Sequence, residues 1–264
     1  MLKKTPYMAT IDKALKNGLL KLEAAASGAY GNQKGIQYQD ARGIYHVTNS
    51  FGEILQNAKP ADPDAARAAA VLRGSRMPDD GVKTGIIILS GILEKALKTG
   101  CTSQDLDGIQ ALLEYGSAYL ERVAQETGGG LLGSALPYMT LIRPLDKRGR
   151  ECGCERSAAI LEHALSKPLF TLAEATGADG YGVYERMKAL SPNQFFSLCQ
   201  VGIERSISTD SPYTDIWVMG YDPADGQIKD CREIEYREKL YDVQQVLLFV
   251  KYNLKAISNI SISI

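Results

Sequence analysis

The stretch "PDDGVKTGIIILSGIL", residues 78–93, decides the reading of the fold. A proline, two aspartates and Gly81 precede Lys83 and Thr84. Apolar residues then crowd a helix-length run: Ile86, Ile87, Ile88, Leu89, Ile92, Leu93, Ala96 and Leu97. A helix that is apolar on most sides belongs in the middle of a domain. Its start is polar and bare at the glycine. Free N–H groups and the helix dipole at such a start favour an anion such as phosphate. Asp80 beside it can hold Mg²⁺ through oxygen. The same residues also suit a plain turn with Asp79 or Asp80 as N-cap, and the two roles can coexist.

Working outward, residues 11–26 place Ile11, Leu15, Leu19, Leu22 and Ala26 three and four apart, which predicts a helix capped by Thr10. "GAYGNQKG" is a turn, and "IQYQDARGIYHV", residues 36–47, alternates about "DARG" as a β-hairpin does. An alanine-rich helix is expected over 64–73. Gly100 ends the central helix, and Thr102 or Ser103 caps the next, with Asp105 in its first turn. "GGG" at 128–130 breaks the pattern. A helix is expected over 155–175, bent or divided by Pro168. Another runs over 240–257 through Leu240, Val243, Leu247, Val250, Leu254 and Ile257. In the tail, Ile260, Ile262 and Ile264 alternate with serine, which predicts a strand over 260–264. No repeat and no long Gly/Ser linker interrupts the 264 residues, so one mainly α domain with small β elements is expected.

The net charge of −1 gives no general pull toward nucleic acid or an anionic membrane. No run of about 20 apolar residues suggests a membrane span. The N-terminus has basic residues but no apolar signal core, so a cytoplasmic protein is expected. The five cysteines are irregularly spaced. Cys152 and Cys154 have no second ligand pair at zinc-like spacing, so they read as reduced thiols rather than a metal or redox site.

The order of these elements resembles the equatorial, nucleotide-binding domain of group I (GroEL-like) chaperonins over nearly the whole chain. "IDKALKNGLLKLEAAASGAYGNQKG" resembles the first family helix and its LGPKG loop, with Gly31, Lys34 and Gly35 in matching places. "GIQYQDARGIYHVTN" looks like the family's stem-loop hairpin. "DDGVKTGIIILSGILEKALKTGCTSQDLDGIQ" is similar to the GDGTTTAT segment and the two helices after it. "GGG", "AAILEHALSKPLFTLAEATGADGYGV" and "GYDPADGQI" look like the GGG turn, the A-L-x-x-P-L helix and the G-Y-N-A-A-T-G-E loop.

The resemblance implies a mainly α, multihelical equatorial-like domain over 1–264. Its halves would be 1–127 and 128–264, with a small hairpin and short terminal strands. It implies ATP or ADP with Mg²⁺ as ligand and protein folding as the related process. Asp80 matches the magnesium aspartate and Gly81 its glycine. Val82 and Lys83 stand where the family has two threonines that meet phosphate, and Thr84 keeps the third. Val82 removes a hydroxyl, whereas Lys83 adds a cation that can grip phosphate or be a solvated first-turn residue. Lys34, with Gly31 and Gly35, matches the loop over the phosphates, or a surface turn. Gly128, Gly129 and Gly130 would let backbone approach the ribose, or simply break a helix. Asp222 replaces an asparagine near the base, in a segment that also reads as a plain turn.

Departures from the family limit the function. The apical and most of the intermediate domain have no counterpart, because "YLERVAQETGGG" runs almost directly from one half to the other. No catalytic residue is assigned. The family's T-K-D-G aspartate falls near Asn49 and Ser50, where there is no carboxylate. Phosphoryl transfer needs a group that orients water, so ATPase activity is expected to be weak or absent. The alternative is a scaffold that has lost the nucleotide and serves as a structural or interaction protein. A third reading is an unrelated helical protein with coincidental turns, which a structure whose halves do not pack through 84–97 and 240–257 would favour. Self-association is expected through the hairpin at 36–47 and the strand at 260–264 of a neighbouring copy, with a further protein partner possible.

Overall fold

The computed structural model describes residues 13–30, 35–73, 81–127, 131–133, 135–189, 219–230, 233–234 and 237–262. In chain order it forms α1 (Lys13–Gly28), β1 (Ile36–Gln39), β2 (Tyr45–Thr48), α2 (Phe51–Asn57), α3 (Pro63–Leu72), α4 (Gly81–Thr99) and α5 (Ser103–Thr127). Then come β3 (Leu131–Gly133), α6 (Leu136–Cys152), α7 (Glu155–Ala175), α8 (Gly180–Ala189), β4 (Met219–Asp222), β5 (Gln227–Asp230), β6 (Arg237–Lys239) and α9 (Leu240–Ile262). The protein is mainly α. Among the described residues no helix is long and apolar enough to cross a membrane.

The apolar run at 86–93 makes α4 the centre of the molecule. Ile86, Ile87, Ile88, Leu89 and Ile92 have no solvent exposure, and each such burial contributes roughly 2 kcal/mol. Their surroundings are α1, α7 and α9, with α2 at one side. α9 crosses α4 so closely that a Cβ on Gly85 would lie 2.5 Å from the Phe249 ring. The two halves of the chain therefore pack through α4 and α9. Lys167 of α7 ties α1, α4 and α7 together. Its Nζ donates to Glu23 Oε1 at 2.9 Å and meets Glu94 Oε2 at 2.8 Å. Ser90 Oγ donates to the other oxygen of Glu23 at 2.6 Å.

Local chemistry sets the boundaries. Asp62 caps α3 by accepting from Ala65 N at 2.9 Å, with Pro63 at the first helical position. Thr102 and Asp105 form a reciprocal cap for α5: Asp105 N donates to Thr102 Oγ1 at 3.2 Å, and Thr102 N to Asp105 Oδ2 at 2.7 Å. Gly100, at φ 65°, ends α4 as expected. The hairpin pairs Ile36 with Thr48 and Gln39 with Tyr45 around Asp40, which accepts from Ile44 N at 2.9 Å. Its outer side exposes Ile44, Tyr45 and Val47.

Four features differ from the sequence reading. α7 runs unbroken past Pro168, which is buried within it. A proline inside a helix loses one backbone bond, and tertiary packing of the surrounding apolar face outweighs that loss here. Residues 260–262 are not a strand: α9 continues through Ile262. An existing helix extends at the low cost of one residue fixed per hydrogen bond, whereas a strand needs an edge to pair with. Ser263, Ile264 and the N-terminal residues 1–12 lie outside the described residues. Finally, "GYDPADGQI" is more than a loop. β4 and β5 pair antiparallel, Met219 with Asp230 and Asp222 with Gln227, about a turn ending at Gly226 with φ 72°. β3 also pairs with β6, Leu131 with Lys239, which the sequence reading did not anticipate.

Candidate functional site

Three chain segments end at one place. α1 stops at Gly28 and turns through Ala29 and Tyr30. α7 stops at Ala175, with Thr176 as its cap. The β4–β5 turn begins at Pro223. Between them lies a cavity of about 260 Å³, lined by Ser27, Gly28, Tyr30, Leu172, Ala175, Thr176 and Pro223. A Cβ on Gly28 would meet nothing within 4 Å.

Hydroxyl groups order the walls. Thr176 Oγ1 donates to the Ala173 carbonyl at 2.7 Å, so the fully buried Tyr221 hydroxyl donates to Thr176 Oγ1 at 2.6 Å. Asp222 is 4 % exposed. Its Oδ1 accepts from Ala224 N at 2.9 Å, and its Oδ2 pairs with Lys229. Lys229 also meets Asp225 Oδ2 at 3.0 Å, and these carboxylates, Asp222 first, hold the ammonium above its ordinary pKa. The carboxylate thus shapes the turn that carries Pro223 into the cavity wall.

The start of α4 joins the cavity through Tyr30. Thr84 Oγ1, 3 % exposed with its residue, donates to the Tyr30 hydroxyl at 3.2 Å. Lys83 Nζ donates to the Ala29 carbonyl at 3.4 Å. The glycine-rich turn after α1 and the polar start of α4, 54 residues apart, are therefore neighbours. The two ends have opposite electrostatics. α1 and α7 bring their C-termini, which offer carbonyls and partial negative charge, while α4 brings an N-terminus with N–H donors. Such an arrangement can accept amino or hydroxyl donors of a ligand in the cavity and an anionic group at α4.

Among the expected site residues, Lys83, Thr84 and Asp222 converge on this region, and Gly81 opens α4 in a buried position. Gly35 instead packs beside the hairpin, where a Cβ would come 2.5 Å from Val47 Cγ1. Val82 is 3 % exposed and belongs to the core. Gly31, Lys34, Asp80, Gly128, Gly129 and Gly130 lie outside the described residues. Among the described residues no group of three or more His, Cys, Asp or Glu is placed to hold a metal ion. Sequence reasoning missed Ser27, Tyr30 and Thr176. The available signals were the turn at Tyr30, between Gly28 and Gly31, and the Thr176–Gly177 end of a helix.

No protein-family model matches the chain, and no curated protein matches it.

Proposed function

We propose that this chain is a chaperonin-like protein that binds ATP or ADP with Mg²⁺ and hydrolyses ATP weakly or not at all. The supporting observation is the hydrogen bond between Thr84 and Tyr30, which sets the start of α4 against the cavity at the ends of α1 and α7. The cavity, about 260 Å³, is smaller than a typical ligand site of roughly 300–1,000 Å³. It suits the base and ribose, with the phosphates outside it at α4 and the metal on Asp80. A link to protein folding rests on the resemblance, and capture of unfolded chains is not proposed, because the apical domain has no counterpart.

Calorimetry and thermal unfolding with ATP, ADP and Mg²⁺ test the proposal. A ligand at a hundredfold excess over Kd stabilises by about 2.7 kcal/mol. For a chain of this size that raises Tm by about 5–10 °C. Asp80→Ala should remove the Mg²⁺ dependence of the shift. A folded protein with no heat and no Tm change at millimolar nucleotide overturns the proposal.

A second reading, an interaction scaffold without nucleotide, is supported by the hairpin, where Tyr45 and Val47 are 66 % and 72 % exposed. Large apolar side chains grouped on a short β-ribbon suit a contact with another copy or another protein. Light scattering at tens of micromolar tests self-association. Tyr45→Lys with Val47→Lys should lower the mass, and a monomeric parent protein excludes self-association.

A further inference from the structure

We propose that Cys152 and Cys154 form a thiol–disulfide exchange site for a small disulfide, with Cys152 as the attacking thiol and Cys154 as the resolving one. The absence of a second cysteine pair argues against zinc only, and it leaves dithiol chemistry open.

The two residues stand at the corner between α6 and α7. Cys152 is the last residue of α6 and exposed; Cys154 precedes α7 and is half-buried, and both are free thiols. Gly153 between them has φ 66°, its N–H donates to the Arg150 carbonyl, and Cys154 N donates to Gly149 O at 2.8 Å. Residues two apart in sequence have Cα atoms at most about 7 Å from each other, and the bend at Gly153 shortens this toward the spacing that a disulfide bridges. The corner is held on its inner side. A Cβ on Gly149 would lie 2.7 Å from Ala158 Cβ, and a Cβ on Gly108 of α5 would lie 3.2 Å from Cys154 Cβ.

Both sulfur-bearing residues line a second cavity, of about 310 Å³, walled by Leu112, Tyr115 and Arg148. Arg148 sits one turn before Cys152, with its guanidinium 5.5 Å above the Tyr115 ring. Arg148 Nη1 donates to Glu151 Oε2 at 3.3 Å, so its charge is already shared with that carboxylate at the wall of the same cavity. Cys152 is the exposed thiol of the pair, so a disulfide arriving from solvent reaches it first. Burial, followed by the charge of Cys152, pushes the Cys154 thiol up, so it does not compete as first attacker. Cys101 is fully buried and its thiol is pushed up to about 12, which makes it inert.

The step balances as follows. The Cys152 thiolate attacks one sulfur of R–S–S–R and expels RS⁻, which takes the proton Cys152 gave up. Cys154 loses its proton and attacks Cys152 Sγ in the mixed disulfide, expelling a second RS⁻ that is likewise protonated. The dithiol is oxidised by two electrons, and the small disulfide becomes two thiols.

The test uses the folded full chain in buffers of oxidised and reduced glutathione, quenched by alkylation and mapped by mass spectrometry. The unmutated chain should form a reversible 152–154 disulfide. Cys154→Ser should accumulate one glutathione adduct at Cys152, and Cys152→Ser should form neither product. Unfolding the parent chain in urea should abolish the rate advantage of Cys152 over its other cysteines. Two separately alkylated thiols across about a hundredfold excess of either glutathione form overturn the proposal, as does equal adduct formation at Cys101.

Discussion

Replacing Lys167 by methionine removes the cation that joins α1, α4 and α7 while keeping a similar volume. In the parent protein Lys167 and Glu23 have side chains only 17 % and 18 % exposed, and Glu94 is 32 % exposed. Lys167 foremost, then Lys98, holds the Glu94 carboxyl down at about 2, from an ordinary 4.5. That drop corresponds to about 3 kcal/mol at most. Solvent screening and the share of Lys98 reduce the part carried by Lys167 to about 1–2 kcal/mol. Loss of the partner of a half-buried Glu23 adds a similar amount, so Lys167→Met should cost about 2–3 kcal/mol at pH 7. The sign of the pH dependence follows from a depressed folded value. Stability from Glu94 is complete above about pH 4.5 and lost as the pH falls toward 2. Urea unfolding followed by circular dichroism should therefore show the parent losing stability faster than the variant between pH 4.5 and 3. Parallel curves over that window, or a variant as stable as the parent at pH 7, would refute the reasoning.

Other substitutions probe the packing and the cavity walls. Gly18→Ala would put a Cβ 2.0 Å from the Asp64 carbonyl oxygen of α3, and backbone cannot yield locally, so thermal unfolding should show a loss of about 2–3 kcal/mol. Gly28→Ala faces open space and should stabilise α1 by about 0.5 kcal/mol, read in the same experiment. Thr176→Val leaves the buried Tyr221 hydroxyl without its acceptor and should cost about 1–2 kcal/mol by urea titration.

The sequence made the core legible where one pattern allows one structure. A helix-length stretch at 84–97 that is apolar on most sides has no place but the centre, and "QYQDARGIYHV" alternates about a turn with little competition. The isoleucine–serine alternation at 260–264 was misleading because Ile260 and Ile264 are also one helical turn apart, so period two and period 3.6 overlap in five residues. α6 went unread because Pro137 and Pro144 sit within it and argue against a helix locally. The candidate site was half legible. Thr84 and Lys83 announce a polar helix start, but the cavity itself is made by two helix ends and a turn. Ser27, Thr176 and Pro223 carry no pattern that distinguishes a lining residue from a cap.

The position of α4 also determines what its amide protons can report. Its neighbours α1, α7 and α9 come from opposite ends and the middle of the described chain, so no single segment can detach and bare it on all sides. Its inner amides should exchange with deuterium only when the whole molecule opens, and their rates then measure the global unfolding free energy. The β1–β2 ribbon, a two-stranded ladder tied to the chain beyond α2 by a single bridge between Asp40 and Ala58 and open to water on one side, should exchange by local separation many orders of magnitude sooner. A single exchange experiment would thus read two independent quantities: how stable the domain is, and how readily its most exposed apolar surface changes shape.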